Sequence, residues 1–282
     1  MGQLHKLTAQ DGTIVPLFRF KAKAPAKAVF LMLPALGVKA KFYKHVAAGL
    51  AAAGITTLLF EQRGHGESPY RPHRSAEVGY TEYLTVDLPA ALDWAQEQYP
   101  GAPLFLGGHS LGAHLSNFMA AYRPNDITGL IHIACVFPFH GFYSKNSARM
   151  LRLLCILLPT LTRIFGYYQG SWFGFGAKEY RQVMLDWRDW ALTGCYDYGQ
   201  IRGIETRMAA YEGPLLSLSF DGDRFASEKA LMKPRQVMAG ARVTRKHLTK
   251  KEQGQHLGHF DWARRPTGTV KTITDWIDTC LI

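Results

Sequence analysis

The stretch that decides the fold is Phe105-Leu106-Gly107-Gly108-His109-Ser110-Leu111-Gly112-Ala113-His114-Leu115. An apolar run precedes it, and an amphipathic segment follows it. This order predicts a strand, a sharp turn and a helix, with Ser110 at the turn in a Gly-x-Ser-x-Gly pattern. Gly108 and Gly112 suit such a turn, because a Cβ at either position would clash where the strand and the helix cross closely.

The predicted turn has a chemical consequence for Ser110. It directs the hydroxyl out of the sheet, and it leaves the N–H of Leu111 free at the start of a helix to hold a developing oxyanion. Taken alone, the pentapeptide is also compatible with a serine that caps a buried helix. The flanking strand and helix favour the interpretation of Ser110 as a nucleophile.

Length and composition point to a globular chain with a sizeable core. The 282 residues suit one large α/β domain or a domain with an insertion, and 47% hydrophobic with 20% charged residues is ordinary. The formal net charge is +11. A solvated basic surface explains this charge, with attraction to anionic membranes or acidic substrates as the alternative. No nucleic-acid-binding motif accompanies the charge, so we expect no nucleic-acid partner.

The cysteine pattern and the hydropathy favour a cytoplasmic protein. The four cysteines are far apart and have neither Cys-x-x-Cys nor zinc-site spacing, which predicts reduced thiols and no metal. The N-terminus has no continuous hydrophobic signal sequence. The most apolar run, residues 150–158, contains Arg152 and is too short to span a bilayer, so no integral membrane segment is expected.

Hydrophobic patterning predicts the α/β class, with a mostly parallel eight-stranded sheet flanked by helices. A hairpin around Asp11-Gly12 opens the chain, and Pro89 is expected to kink a helix, or to start a second one, near Asp87. The predicted strands cover residues 4–9, 13–20, 28–33, 55–60, 103–106, 127–136, 214–220 and 242–248. The predicted helices cover residues 42–50, 82–98, 111–122 and 227–238, with a last helix from about residue 266.

The alternation of strands and helices stops between residues 137 and 205. We interpret this span as a helical cap inserted into a core formed by residues 1–136 and 206–282. A short amphipathic helix is predicted over residues 149–161. The dense aromatic residues between 165 and 198 either line an apolar pocket or pack the cap onto the core.

Four motifs together resemble the α/β-hydrolase superfamily. They are Leu33-Pro34-Ala35-Leu36-Gly37, Arg63-Gly64-His65-Gly66-Glu67-Ser68, the serine pentapeptide, and an aspartate followed by a histidine near the end of the chain. The core is most similar to bacterial esterases, monoacylglycerol-lipase-like proteins and hydrolases of the serine aminopeptidase type. The resemblance implies a serine hydrolase in which Ser110 is activated by a histidine and an acid.

The residues themselves leave two candidates for each partner of Ser110. Asp221 and Asp223 both follow the strand over 214–220, and His256 and His259 both precede the last helix. The resemblance favours Asp223, since the family's acid lies a few residues beyond the strand. It also favours His259, since Gly258-His259-Phe260 is similar to the family's histidine loop. The other aspartate would then stabilise the turn by a hydrogen bond from its side chain to its own backbone.

Backbone N–H groups of Leu36 and Leu111 are the predicted oxyanion donors. The family often has His-Gly where this chain has Pro34-Ala35, so a simple tight turn is the alternative at Leu36. We expect the His109 side chain to point away from Ser110 and His65 to shape its glycine loop. His114 and His132 are interpreted as helix or core positions.

The function that follows is hydrolysis of a carboxylic ester through an acyl-enzyme, on an apolar small-molecule or lipid-like substrate. A thioesterase or amidase on the same three residues is an alternative, and so is a non-catalytic binding protein of the same fold. No cofactor or metal is expected. Contact with a membrane surface is open as a hypothesis, and the sequence leaves the oligomeric state undetermined.

Overall fold

A computed structural model describes residues 2–23 and 25–282 and contains an eight-stranded sheet. The strands of the main sheet are β1 (Gln3–Thr8), β2 (Ile14–Phe20), β3 (Ala28–Leu33), β4 (Ile55–Phe60), β5 (Leu104–His109), β6 (Gly129–Ile133), β9 (Pro214–Phe220) and β10 (Arg242–Leu248), and a separate hairpin is formed by β7 (Tyr167–Gln169) and β8 (Lys178–Tyr180). The strand order is β1-β2-β4-β3-β5-β6-β9-β10. Among the described residues, the antiparallel pairings of this sheet are β1–β2 and β2–β4, and the other five pairings are parallel, which confirms the predicted mostly parallel sheet.

Helices cover both faces of this sheet. The α-helices are α1 (Lys44–Ala52), α2 (Tyr80–Glu82), α3 (Leu88–Gln98), α4 (Leu111–Tyr122), α5 (Lys145–Phe165), α6 (Arg181–Thr193), α7 (Ile204–Ala209), α8 (Glu228–Val237), α9 (Lys250–Gln253) and α10 (Thr267–Cys280). Helices α1 and α10 pack on one face, and α3, α4 and α8 contribute to the core on the other. Every residue of β3, β4 and β5 is buried, which suits their mostly apolar sequence.

The predicted kink near Asp87 takes the form of a wider helical turn. Residues Tyr83–Asp87 form a π-helical segment between α2 and α3. Pro89 has no N–H to donate to the carbonyl four residues earlier, so the regular hydrogen-bond ladder is interrupted there.

The span between β6 and β9 differs from the sequence prediction in two respects. Helix α5 runs from Lys145 to Phe165, longer than the predicted 149–161, although it contains Pro159. Proline leaves the carbonyl of Cys155 without its helical partner, and Arg188 on α6 donates to that oxygen at 2.7 Å. The hairpin β7–β8 was not predicted, because its strands have three residues each. We call residues 137–205 the cap segment, and its separation from the core as a unit stays a prediction.

Within the part of the chain that the structure describes, no helix combines the length and apolarity needed to cross a membrane. The four cysteines, Cys135, Cys155, Cys195 and Cys280, are all free thiols.

A buried ion pair holds the Arg63–Ser68 loop against the helical layer. The guanidinium of Arg63 is bonded to both carboxylate oxygens of Asp87, with Nε 3.1 Å from Oδ2. Only 2% of the Asp87 side chain and 11% of the Arg63 side chain are exposed. Both charges are therefore removed from water, and each is stabilised by the opposite charge of its partner.

We predict that Asp87→Ala lowers the free energy of unfolding by about 3 kcal/mol, because it leaves the Arg63 guanidinium buried without a counter-charge. The matched control is Asp275→Ala, since Asp275 pairs with Lys271 on the surface of α10 with both side chains at least 60% exposed. Its loss should cost no more than about 0.5 kcal/mol. Urea unfolding followed by circular dichroism measures both, and equal effects would contradict the role given to the buried pair.

Candidate active site

Ser110 lies at the junction of β5 and α4 in a strained backbone conformation. Its φ is 51° and its ψ is −112°, outside the regions that residues other than glycine ordinarily occupy. Its N–H donates to the carbonyl of Ile133 on β6 at 3.0 Å, which fixes the turn to the sheet. A Cβ on Gly108 or Gly112 would lie 2.0 or 2.4 Å from the carbonyl oxygen of Leu33. Glycine is therefore required on both sides of the serine.

The structure brings Asp223 and His259 together. Nδ1 of His259 donates to Oδ2 of Asp223 at 2.8 Å, and the other carboxylate oxygen accepts from the N–H of Phe225 at 2.9 Å. The two side chains are 1% and 7% exposed, respectively. The hydrogen bond fixes the orientation of the imidazole and leaves Nε2 as its free nitrogen.

The two competing residues have other partners. Asp221 accepts from Nε2 of His247 on β10 at 2.8 Å, and half of each side chain is exposed. His256 is bonded through Nδ1 to Asp261 at 2.8 Å. The structure thus sorts the four predicted candidates into separate pairs, and only Asp223 and His259 pair with each other.

A cavity of about 540 Å³ lies over the turn. Both Ser110 and His259 line it, together with Leu36 and Leu111, so all the predicted site residues except the buried Asp223 face one space. In the described part of the chain no hydrogen bond joins Ser110 to His259. Catalytic hydrogen bonds are often long without substrate and shorten when it binds.

The two predicted oxyanion donors have free N–H groups. Neither Leu36 nor Leu111 donates a backbone hydrogen bond among the described residues outside the regular helical and strand ladders. The chain around Leu36 is held from both sides: the N–H of Ala35 donates to the hydroxyl of Tyr43 at 3.0 Å, and the N–H of Ala40 donates to Glu61 at 2.8 Å. A fixed loop with an unused donor can stabilise negative charge without reorganisation.

His109 is fully buried behind the site. Its Nδ1 is 2.9 Å from the hydroxyl of Tyr43, and its ring lies 4.8 Å from the ring of His259, centre to centre. Burial, together with the charge that His259 can carry, lowers the pKa of His109 well below its usual value. His109 is therefore neutral. Its ring packs against the ring of His259, and its Nδ1 faces the hydroxyl of Tyr43.

A buried polar chain that the sequence interpretation missed joins the cap segment to the core. Its hydrogen bonds run from His132 Nε2 to Asn117 Oδ1 (2.8 Å), from Asn117 Nδ2 to the Tyr196 hydroxyl (3.5 Å), from that hydroxyl to His114 Nδ1 (2.7 Å), and from His114 Nε2 to the carbonyl of Val136 (3.0 Å). Because the carbonyl of Val136 can only accept, the direction of each hydrogen bond in this series is determined. The available signal was the spacing of His114 and Asn117 on α4, but their partner Tyr196 is far along the sequence.

Burial lowers the pKa of His114 to about 4 and that of His132 to about 3. Both rings are thus neutral at neutral pH, as the hydrogen-bond chain requires. No cluster of metal-ligating side chains is present among residues 2–23 and 25–282.

The sequence profile of the family described as "Serine aminopeptidase, S33" matches residues 24–173, more than half of the chain. The chain belongs to this family. Its fold and its relatives place it in the α/β-hydrolase superfamily, as the motifs predicted.

The relatives named below have low sequence identity to this chain, and their names describe hydrolases. The chain is 23% identical to mouse monoglyceride lipase over 282 residues, which covers 97% of this chain and 90% of that protein. It is 24% identical to protein phosphatase methylesterase 1 of Candida albicans over 237 residues, 79% of this chain and 61% of that protein. Among solved structures, a thermostable carboxyl esterase from Bacillus coagulans covers 100% of both chains with a TM-score of 0.73 and 15% identity. This last likeness concerns the fold alone.

We predict that His132 makes the protein less stable in acid. Between its unfolded pKa, about 6.5, and its folded pKa, about 3, only the unfolded chain binds a proton at this residue, so stability falls as the pH falls. Relative to His132→Gln, the wild type should lose about 1 kcal/mol per pH unit between pH 5.5 and 4.

The measurement is urea unfolding at several pH values. His247→Gln is the control, since the His247 side chain is 53% exposed and its loss should leave the wild-type slope in place. Parallel pH dependences for the wild type and His132→Gln would show that His132 is protonated in the folded state.

Proposed function

We propose that the protein is a serine hydrolase that cleaves a carboxylic ester by way of an acyl-enzyme. The observation that carries this proposal is the buried hydrogen bond of 2.8 Å between His259 and Asp223, beside a cavity that is also lined by Ser110. A strained serine, an oriented imidazole and a buried carboxylate in one site are the parts that acyl transfer needs.

In the first half of the reaction Ser110 Oγ attacks the ester carbonyl while Nε2 of His259 accepts its proton. Asp223 holds the imidazole in the required tautomer and stabilises the positive charge that forms on it. The N–H groups of Leu36 and Leu111 donate to the oxyanion of the tetrahedral intermediate. The intermediate then collapses, and the leaving alcohol takes the proton from His259.

In the second half a water molecule attacks the acyl-enzyme. His259 accepts a proton from this water, the oxyanion forms again in the same donors, and the proton passes to Ser110 as the carboxylic acid leaves. Every proton transfer thus passes through one imidazole nitrogen, the one that Asp223 leaves free.

The lining of the cavity favours an apolar acyl group. Leu151, Leu154, Phe175, Trp187 and Trp190 form much of its wall. Such a wall binds an acyl chain by removing apolar surface from water and offers few partners for a polar one. The similarity to mouse monoglyceride lipase supports a lipid-like ester.

The first prediction for this site concerns labelling by a fluorophosphonate. The wild type should gain one covalent adduct by intact mass, Ser110→Ala should gain none, and ester turnover should fall at least about 10³-fold in that variant. A panel of esters, thioesters and amides of graded chain length then identifies the acyl group that is cleaved.

Paired variants separate the two candidates for each partner residue. Asp223→Asn and His259→Gln should each lower kcat/KM by about 10³-fold or more, whereas Asp221→Asn and His256→Gln should stay within about threefold of the wild type. A folded wild type that takes no label and cleaves no member of the panel would favour a non-catalytic binding protein instead.

We also propose that helix α5 lies on an anionic membrane surface. Six apolar side chains of this helix point into solvent and are between 41% and 74% exposed, namely Met150, Leu153, Ile156, Leu157, Ile164 and Phe165. Large exposed apolar patches are rare on monomeric proteins and usually mark a binding surface. Met150 also lines the mouth of the cavity, so a membrane in contact with α5 would deliver lipid-like esters directly to it.

The charges of α5 indicate the kind of surface. The helix carries Lys145, Arg149, Arg152 and Arg163 and has no acidic residue. Exposed apolar side chains accompanied only by cations are the features of a helix that lies in the interface of an anionic bilayer.

We predict that the protein sediments with vesicles of phosphatidylcholine and phosphatidylglycerol, and that salt weakens this binding. Arg149→Gln/Arg152→Gln should reduce the affinity about 30-fold, since each cation near an anionic surface contributes about 1 kcal/mol. Turnover of a short-chain, water-soluble ester should be unchanged in this variant, because neither arginine lines the cavity.

Leu153→Glu/Ile156→Glu tests the apolar part of the same surface and should abolish sedimentation with these vesicles. Equal binding of wild type and both variants to the anionic vesicles would contradict the proposal. Self-association of the wild type that the glutamate variant abolishes, in the absence of lipid, would assign α5 to a protein interface instead.

A further inference from the structure

The cap hairpin, residues 167–180, is pressed against the loop that carries one predicted oxyanion donor. Gly37 follows Leu36 in this loop and has a φ of 74°. A Cβ on Gly37 would lie 2.5 Å from the N of Ala177 and 2.9 Å from Oε1 of Glu179. The hairpin therefore touches the backbone of the loop directly, with no side chain between them.

Glu179 is the residue that holds the hairpin in this place. Its Oε2 is 3.0 Å from Nε2 of His65, and its Oε1 accepts from the N–H of Ala177 at 3.0 Å. The side chains of Glu179 and His65 are 1% and 5% exposed. A buried carboxylate that loses its partner is destabilising. The pair with His65 therefore fixes the hairpin to the core.

Outside the regular ladders, no hydrogen bond among the described residues involves Leu36 or Gly37 in the middle of the loop. Ala35 is held by Tyr43 and Ala40 by Glu61. Between them, the N–H of Val38 donates to the carbonyl of Ala35, and the carbonyl of Lys39 accepts from the N–H of Phe42. The middle of the loop, which includes Leu36, thus has the hairpin as its neighbour on the cap side.

We propose that Glu179, paired with His65, is a positioning residue for the oxyanion donor Leu36, so that the cap segment takes part in catalysis as well as covering the cavity. The proposal rests on the hydrolase function proposed above. It assigns to the Arg63–Ser68 loop the task of linking the cap to the donor loop.

The charge state of His65 follows from its surroundings. Burial alone would lower the pKa of His65, but the hydrogen bond and charge of Glu179 on β8, with the charge of Glu61 at the end of β4, raise it above its usual value, against a small opposing effect of Arg71. The pair is therefore ionic up to the raised pKa of His65. Its contribution is complete below pH 6.5 and is lost as the pH rises through the folded pKa of His65.

The test compares Glu179→Gln and His65→Gln with the wild type on a soluble ester. Glutamine keeps the volume of Glu179 and the bond from Ala177 while it removes the charge. We expect kcat to fall about 10- to 100-fold while KM stays within about twofold, because a displaced donor weakens transition-state stabilisation and leaves ground-state binding intact. Affinity for a trifluoromethyl ketone should fall in parallel with kcat/KM.

Asp186→Asn is the matched control. Asp186 is a buried cap carboxylate that also bridges to the core, accepting from the N–H of Tyr80 at 2.8 Å, but it has no bond to the loop from Ala35 to Ala40. Its substitution should lower stability and leave kcat and the affinity for the ketone unchanged. A fall in kcat as large as that of Glu179→Gln would reduce both residues to general supports of the cap and overturn the proposal.

The pH dependence of kcat in the wild type is a further test of the proposal. Its kcat should decline as the pH rises through the folded pKa of His65, with KM constant, and His65→Gln should lack this alkaline step. A kcat without an alkaline step in the wild type, or variants with altered KM alone, would contradict the positioning role. Failure of the wild type to react with the fluorophosphonate would instead remove the hydrolase proposal, which keeps the two failures distinct.

Discussion

The close approach of β3 to the turn between β5 and α4 is the constraint on which the rest of the site depends. The carbonyl of Leu33 leaves no room for a Cβ at Gly108 or Gly112, so the chain passes from strand to helix in a single strained residue. That residue is Ser110, whose strain is stored by the buried sheet around it. The same approach brings the loop after Leu33 beside the serine, which is where an oxyanion donor has to be.

Buried polar side chains connect the cap segment to this centre. Tyr196 is bonded to His114 on α4, Asp186 to the backbone of Tyr80, and Glu179 to His65. Each of these contacts is removed from water, so its loss leaves an unpaired polar group at a cost of several kcal/mol (about 1–5 by type). The cap segment is thereby held in a fixed position relative to the proposed catalytic residues, while the exposed face of α5 is the part that we propose to contact a membrane.

Two prolines show how helices of the cap segment and the core gain tertiary contacts. Pro159 frees the carbonyl of Cys155, which accepts from Arg188, and Pro234 in α8 frees the carbonyl of Ala230, which accepts from the N–H of Phe137 at 2.9 Å. In both helices the missing internal hydrogen bond becomes a contact to another segment. A helix-breaking residue thus continues a helix when a tertiary partner satisfies the carbonyl it exposes.

The sequence by itself determined the sheet, the turn and the short list of site residues, because apolar periodicity and the glycines around Ser110 are local properties. It left Asp221 against Asp223 and His256 against His259 open on the residues alone, since each pair lies within one loop. Only the tertiary structure placed His259 against Asp223, Tyr196 against His114 and Glu179 against His65. These partners are far apart in the chain, and hydrogen bonds between distant residues leave no periodic trace in a single sequence.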